Sequence, residues 1–575
     1  MKFCLIFNTK LLLHLIKKNE KFIKSSNLIF LTPSPLNYLI LKKNKVKVIN
    51  LENEIRESKR KQFFIKNYNF LDKKIRDYKK NKDSNFFYNT FRWHAPRDYV
   101  GFKLIIYTVG KIMQRYKAKN LIYLNDLNGL AFKNYLYSEL FKLFCRDNYI
   151  NFISKKFNFE KKFNLFSLVL KKYSNIKELF YFFNLKSIFN LCNKLLFLKI
   201  EKDRILIIGP RYDLKYVSFK KKTVYQRNFN ILWNKEYMQS KDFKKFNISK
   251  NKKYHKIVLE YLDYEVTIYK NDYLQKISLF SKFLKEKKIK KIFWALSPPP
   301  VLRNILLFIL RSKKLKIKIF GVQHGGQYFL MNHEIVNKDS DFDYCNYYLA
   351  YGISNYFNKK KFIKNKNLKL VNCGSFKSNY IKHLELDNKI NQSKILYVPA
   401  ARMKMEIPRL GTSATSFFNL QMKICNFLNL NKNFKSYIKI IPNIISGKKI
   451  HDYLSLQYNS IYYELSQFTN IKINSMPLTQ AIKTIRPKII ICDYLSTPIY
   501  EIIKTNCEII LFMDEINVIK KDVFRLLNKR IFLVKNMKQM LKTVKAIEKS
   551  EYSKLDNDDF YKNFFDLKLK NNSII

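Results

Sequence analysis

The chain has 575 residues, too many for a single core, and 47% of them are hydrophobic, enough for two or three globular domains. Its formal net charge is +66, but lysine far outnumbers arginine and is spread along the whole chain among many Asn, Ile, Phe and Tyr. That is the signature of an AT-rich genome, and with no helix-turn-helix, zinc-finger or RNA-binding pattern beside it, nucleic acid is not the expected partner.

The N-terminal run MKFCLIFNTKLLLHLIKK is apolar but interrupted by Lys10, lacks a small-residue cleavage site and is too short to span a bilayer. The 8 cysteines form no CxxC pair and no zinc-type spacing, as expected of small buried residues in a reducing compartment. A cytoplasmic protein follows, with room for peripheral contact with the anionic inner face of a membrane. Strands are expected at 26–33 and 119–126, a solvated helix or loop at 59–85, and helices between Phe157 and Ile200. The latter could lie on a membrane or pack in a core with their lysines solvated. Residues 1–200 otherwise read as a poorly defined, partly helical α/β region of unclear role.

From residue 204 the pattern sharpens. RILIIGP (204–210) and KKIKKIFW (287–294) are strand-like, VLRNILLFILRSKK (301–314) has helical spacing, and KIKIFG (316–321) is the next strand, breaking at Gly321. Strand, helix and strand in this order predict a βαβ unit with a right-handed parallel crossover. The second strand runs into Gln323, His324, Gly325 and Gly326. A Gly-Gly pair permits positive φ and close backbone approach of a ligand. A histidine there, past the carboxyl end of a strand, lies where open α/β sheets place their chemistry. The alternative is a tight turn with an incidental histidine.

A second series begins near 393: strands at 394–400, 435–442, 488–498 and 508–515 alternate with helices at 415–431, 476–487 and 499–506. Near-continuous apolar strands between helices argue for a parallel sheet covered on both faces. The expected organisation is an N-terminal region (1–200), a Rossmann-like lobe on the acceptor side (201–385), a second on the nucleotide-donor side (386–545), and a tail (546–575). In CDYLSTPIYE (492–501), Pro498 suits the first helical position, which puts Thr497 at the N-cap and makes the turn with Ser496 an anion site. Glu501 lies on the same helix face, placed to bond ligand hydroxyls. Arg402 follows a strand end and suits bidentate phosphate contact, more informative than Lys404 in so lysine-rich a chain. Each of these also has an ordinary reading, as a capped helix or a solvated cation.

Three segments, GVQHGGQYFLMNHEIVNKDSDFDYCNYYLAYG (321–352), VNCGSFK (371–377) and CDYLSTPIYE (492–501), resemble bacterial transferases of surface-carbohydrate biosynthesis with the GT-B fold. More distantly they are similar to capsule-polysaccharide and teichoic-acid-type transferases. The matching residues are Gln323, His324, Gly325, Gly326, His333, Glu334, Asp341, Tyr351-Gly352 in place of Trp-Gly, Gly374-Ser375, Asp493, Ser496, Thr497 and Glu501. Leu495 is an extra residue before Ser-Thr, and Pro498 replaces a small polar one. The resemblance covers about 290–515 and implies two facing Rossmann-like domains.

It further implies a glycosyltransferase moving a sugar from a nucleotide-activated donor to a glycan or lipid-linked acceptor. Ser496, Thr497, Arg402 and Asp493 would serve the donor phosphates, Glu501 the donor hydroxyls, His324 would be the general base, and Glu334 a second base or its orienter. No metal or other cofactor is expected. The alternatives are a polyol-phosphate transferase of the teichoic-acid type, and a non-catalytic scaffold or nucleic-acid-binding protein.

Overall fold

Contiguous β-branched and aromatic residues, with few of the lysines that crowd the surface, mark the strands of this protein. In a computed structural model the described residues are 2–7, 9–79, 95–126, 140–157, 204–208, 223–227, 254–260, 263, 280–294, 316–323, 328–330, 342, 345–357, 363, 367–375, 391–400, 414–440, 461, 464–513, 519–551, 553–554 and 558–565. They build three wholly parallel sheets, each in a doubly wound strand order.

The first sheet holds β1 (Lys2–Ile6), β2 (Leu28–Thr32), β3 (Val48–Asn50), β4 (Asn120–Asp126) and β5 (Asn151–Phe157) in the order β3-β2-β1-β4-β5. The N-terminal apolar run is thus the central strand, with Phe3, Cys4, Leu5 and Ile6 fully buried. The described residues of the N-terminal region thus carry a five-stranded parallel α/β unit. Its lysine-rich segment is the long helix Glu57–Lys79, which packs on the helix Ala95–Arg115. The helices expected after Phe157 fall outside the described residues, as does the one expected at 301–314.

The second sheet orders β6 (Arg204–Ile208), β7 (Thr223–Arg227), β8 (Lys291–Trp294), β9 (Lys318–Val322), β10 (Tyr347–Ala350) and β11 (Lys369–Asn372) as β11-β10-β9-β8-β6-β7. β8 and β9 are parallel neighbours, as the expected βαβ unit requires. Gly321 does not break its strand. It lies within β9, where a Cβ would come 2.7 Å from the Tyr348 ring and 3.1 Å from Cys345 Sγ. The glycine is there because a tyrosine on β10 occupies the space a side chain would need.

The third sheet orders β12 (Asn391–Val398), β13 (Lys435–Lys439), β14 (Ile471–Asn474), β15 (Pro487–Cys492), β16 (Glu508–Phe512) and β17 (Phe532–Val534) as β14-β13-β12-β15-β16-β17. Ile489, Ile490 and Ile491 are fully buried, each contributing about 1.5–3 kcal/mol of apolar transfer. The mixed α/β class with parallel sheets is consistent with GT-B-like Rossmann domains.

The second and third units meet through residues beyond the carboxyl ends of their strands. Ser354 Oγ donates to Asp522 Oδ1 at 2.6 Å and the Asn355 amide to Asp522 Oδ2 at 2.9 Å. Lys520, buried, donates from Nζ to the Phe329 carbonyl at 2.8 Å. The helix Asp559–Phe564, in the segment expected as a tail, closes the joint: Phe560, Tyr561, Phe564 and Phe565 are buried, and the Phe565 carbonyl accepts from the Ser375 amide at 2.8 Å. The first unit docks on the third through Asn50, the last residue of β3, and Glu52, just past it, against Thr415 at the start of the helix Ala414–Leu430.

Candidate functional site

In the third sheet the chain leaves β12 toward β13 on one side and later returns to β15 on the other. The strand order reverses there, at the carboxyl ends of these two strands, the usual ligand position in an open α/β sheet. Asp493, the first residue past β15, reaches across to β12. Its carboxylate accepts from Tyr397 Oη (2.8 Å), the Ala400 amide (2.6 Å) and Gln421 Nε2 (2.8 Å). Asp493 is buried, so these donors replace the water that a carboxylate otherwise needs. It ties the exit of β12 to the exit of β15. Burial, and then the Asp493 charge, hold the Tyr397 phenol far above its ordinary range, so it stays a donor.

Sequence reasoning singled out Asp493 but missed Tyr397 and Gln421. The one available signal was Gln421 itself, a polar residue on the inward face of an otherwise apolar helix segment.

After Asp493 the chain buries Leu495 in the core, which gives the extra residue of the motif a packing role. Ser496 then caps the helix Thr497–Ile502, correcting the expected cap at Thr497. Pro498 is tolerated at the second helical position because a backbone N–H there would have no intrahelical partner to lose. The Ser496 side chain makes no capping hydrogen bond. Tyr500 lies on the buried face of this helix, and half-buried Glu501 is one turn on from Thr497.

Lys439 ends β13 on the same rim and is only 9% exposed. Its Nζ donates to the Ile440 carbonyl at 2.6 Å. Burial pushes this ammonium down to about 8, an effect that the charge of Glu501 opposes. Lysine is so abundant in the chain that sequence alone did not distinguish this one.

Residues past the strands of the second sheet pack against the helix Thr497–Ile502. Gln323, the residue after β9, is 1% exposed, and its Oε1 accepts from the Tyr351 amide at 2.9 Å. The Tyr351 ring meets Tyr500 edge-on at 5.8 Å and Phe565 at 5.7 Å, while Tyr500 and Phe565 stack at 4.7 Å. Gly352 lies against the Phe564 backbone, where a Cβ would collide. Gly374 has φ +69°, a conformation that favours glycine, and sets Ser375 to donate to Phe565.

The structure thus brings Gln323 within two residue contacts of the helix Thr497–Ile502. His324, Gly325, Gly326, His333, Glu334, Asp341 and Arg402 lie outside the described residues. Among the described residues no group of three or more His, Cys, Asp or Glu could hold a metal ion, and no helix is long and apolar enough to cross a membrane.

No protein-family model matches the chain, and no curated protein matches it. Among solved structures it is similar to a glycosyltransferase from Rickettsia africae ESF-5, at 12% identity over 62% of this chain and 90% of that one, with a TM-score of 0.34. It is also similar to the UDP-GlcNAc 2-epimerase from Neisseria meningitidis bound to UDP-GlcNAc (10% identity, 62% and 95% covered, TM-score 0.32). A third is the glycotransferase of kitacinnamycin (7% identity, 61% and 91% covered, TM-score 0.33).

Proposed function

We propose that the protein is a glycosyltransferase that carries a sugar from a nucleotide-activated donor to a growing surface polysaccharide or glycolipid. The observation that carries this reading is the convergence of two motif segments far apart in sequence. Gln323, the first residue of the Gln-His-Gly-Gly motif, is linked through Tyr351 to Tyr500 on the helix that Thr497 opens, just past Asp493 and Ser496. A donor bound at the ends of β12 and β15 would then lie near the motif that carries His324.

In this reading Asp493 acts by bracing these strand ends, since its oxygens already accept three hydrogen bonds. The Ser496 and Thr497 hydroxyls and Arg402 serve the phosphates, and Glu501 bonds donor hydroxyls. His324 takes the proton of the acceptor hydroxyl as the sugar is transferred, and Glu334 acts beside it or orients it. Charge on the leaving nucleotide is met by donors fixed in place, without a metal. An acceptor embedded in lipid would suit peripheral contact between this basic chain and an anionic membrane face.

The test is a thermal-shift screen of nucleotides and nucleotide-sugars, followed by donor turnover in His324→Ala and Thr497→Ala. A bound ligand at 100 times its dissociation constant stabilises by about 2.7 kcal/mol, and both variants should lose turnover. A screen without a hit, or wild-type turnover in both variants, overturns the reading.

A further inference from the structure

We infer that Lys439 is the cation that grips the diphosphate of a nucleoside-diphosphate donor; the inference rests on the nucleotide-donor reading above. In the sheet register Tyr397 lies opposite Ile438 and Val398 opposite Cys492. Lys439 is therefore level with the last residues of β12 and β15, one strand from the point where the order reverses. Side chains alternate along a strand. Tyr437, two residues earlier on the same face, packs against the cluster that includes Val398, Cys492, Ile499, Tyr500 and Ile502. Lys439 thus projects onto the face covered by the helix Thr497–Ile502, the helix that carries Glu501.

A lysine is seldom this buried without a partner, because taking an ammonium out of water is costly. One of its three donors goes to the Ile440 carbonyl, and the Glu501 charge acts on it from the helix. Methionine would fill the same space without that cost. An ammonium shielded from water, level with the carboxyl ends of β12 and β15, attracts phosphate oxygens more strongly than a surface lysine does, because the local dielectric is lower. Lys439 and Glu501 together then supply one cation for the diphosphate and one acceptor for a hydroxyl of the same ligand.

The test is isothermal titration of the full-length protein with UDP, ADP, GDP and CDP and with the matching nucleosides. Lys439→Met should weaken the diphosphate that binds by about tenfold or more and leave its nucleoside within about twofold, while Lys439→Arg stays close to wild type. Reductive methylation of the wild-type protein, read by mass spectrometry, gives an answer that does not depend on a variant folding: the bound diphosphate should protect Lys439. Equal diphosphate binding by folded Lys439→Met, or modification of Lys439 undiminished by ligand, overturns this inference alone. Failure of the wild type to bind any of the four diphosphates overturns the nucleotide reading and this inference with it.

Discussion

Asp493 illustrates how a single side chain ties two strand exits together. Replacing it with alanine strands the buried Tyr397 hydroxyl and takes from the buried Gln421 amide the nearer of its two acceptors. Buried donors left unmatched cost about 1–3 kcal/mol each, so Asp493→Ala should loosen the third unit by roughly 3 kcal/mol, seen as faster hydrogen exchange at β12 and β15. Exchange unchanged from wild type would show that the brace carries no such energy. Lys439 makes a different prediction, with a sign. Its folded value of about 8 lies below the ordinary 10.5, so between those pH values the unfolded chain binds more protons than the folded one. The stability linked to this group is therefore fully present above 10.5 and is lost as pH falls through 8. In urea unfolding, the wild type should gain on Lys439→Met as pH rises from 8 to 10.5; a gap that is flat or shrinks contradicts the assignment. At this scale the sequence disclosed the residues that stand out chemically, Asp493, Ser496 and Thr497. It hid those that matter by placement: Tyr397 and Lys439 belong to abundant classes in the chain, and they, like Gln421, gain meaning only where strands end together.

Strands such as β15 and β16 were readable because they are central, buried on both faces and nearly free of charge. The edge strands β11, β14 and β17 were not. KLVN, IKIN and FLV are three or four residues long, partly exposed and, in two of them, interrupted by lysine, and edges tolerate such interruptions. The helix Asp559–Phe564 was hidden for another reason: it is short, and its three buried aromatics, with Phe565 just after it, lie in a segment that composition marks as polar. Its seat explains Gly352. An added methyl there would strike the Phe564 backbone, and overpacking of this kind costs about 1–3 kcal/mol. Gly352→Ala should release the C-terminal helix first, so limited proteolysis near residue 558 should accelerate while the β15 core keeps its exchange protection. Unaltered cleavage would mean that the helix is held by contacts other than this one.

The units themselves are joined by polar clasps that no local pattern announces, because their partners are hundreds of residues apart. Glu52 accepts from both the amide and the hydroxyl of Thr415 at 2.9 and 3.0 Å, and Asn50 donates to the same hydroxyl at 2.9 Å. Arg60 approaches Glu52 at 3.7 Å, and all four groups are buried. Glu52 thereby caps the N-terminus of a helix in another unit, satisfying an amide that helix geometry leaves open and meeting the positive end of its dipole. Leu39 of the first unit packs against the core of the third beside this clasp. The first α/β unit is thus fastened to the helix that follows β12, the strand whose end forms one side of the proposed donor site. Thr415→Val keeps the shape but removes the hydroxyl, leaving Asn50 without that acceptor and Glu52 without one donor. Breaking a buried, charge-assisted contact of this type costs about 1.5–3 kcal/mol. Glu52→Gln weakens the same contacts, so the two losses should not add: a double-mutant cycle should show coupling of about 1 kcal/mol or more. Calorimetry should separate an early transition of the first unit in either variant, while the wild type unfolds with its first and third units together. Additive losses, or a first unit that already melts alone in the wild type, would mean that the clasp does not couple the two units.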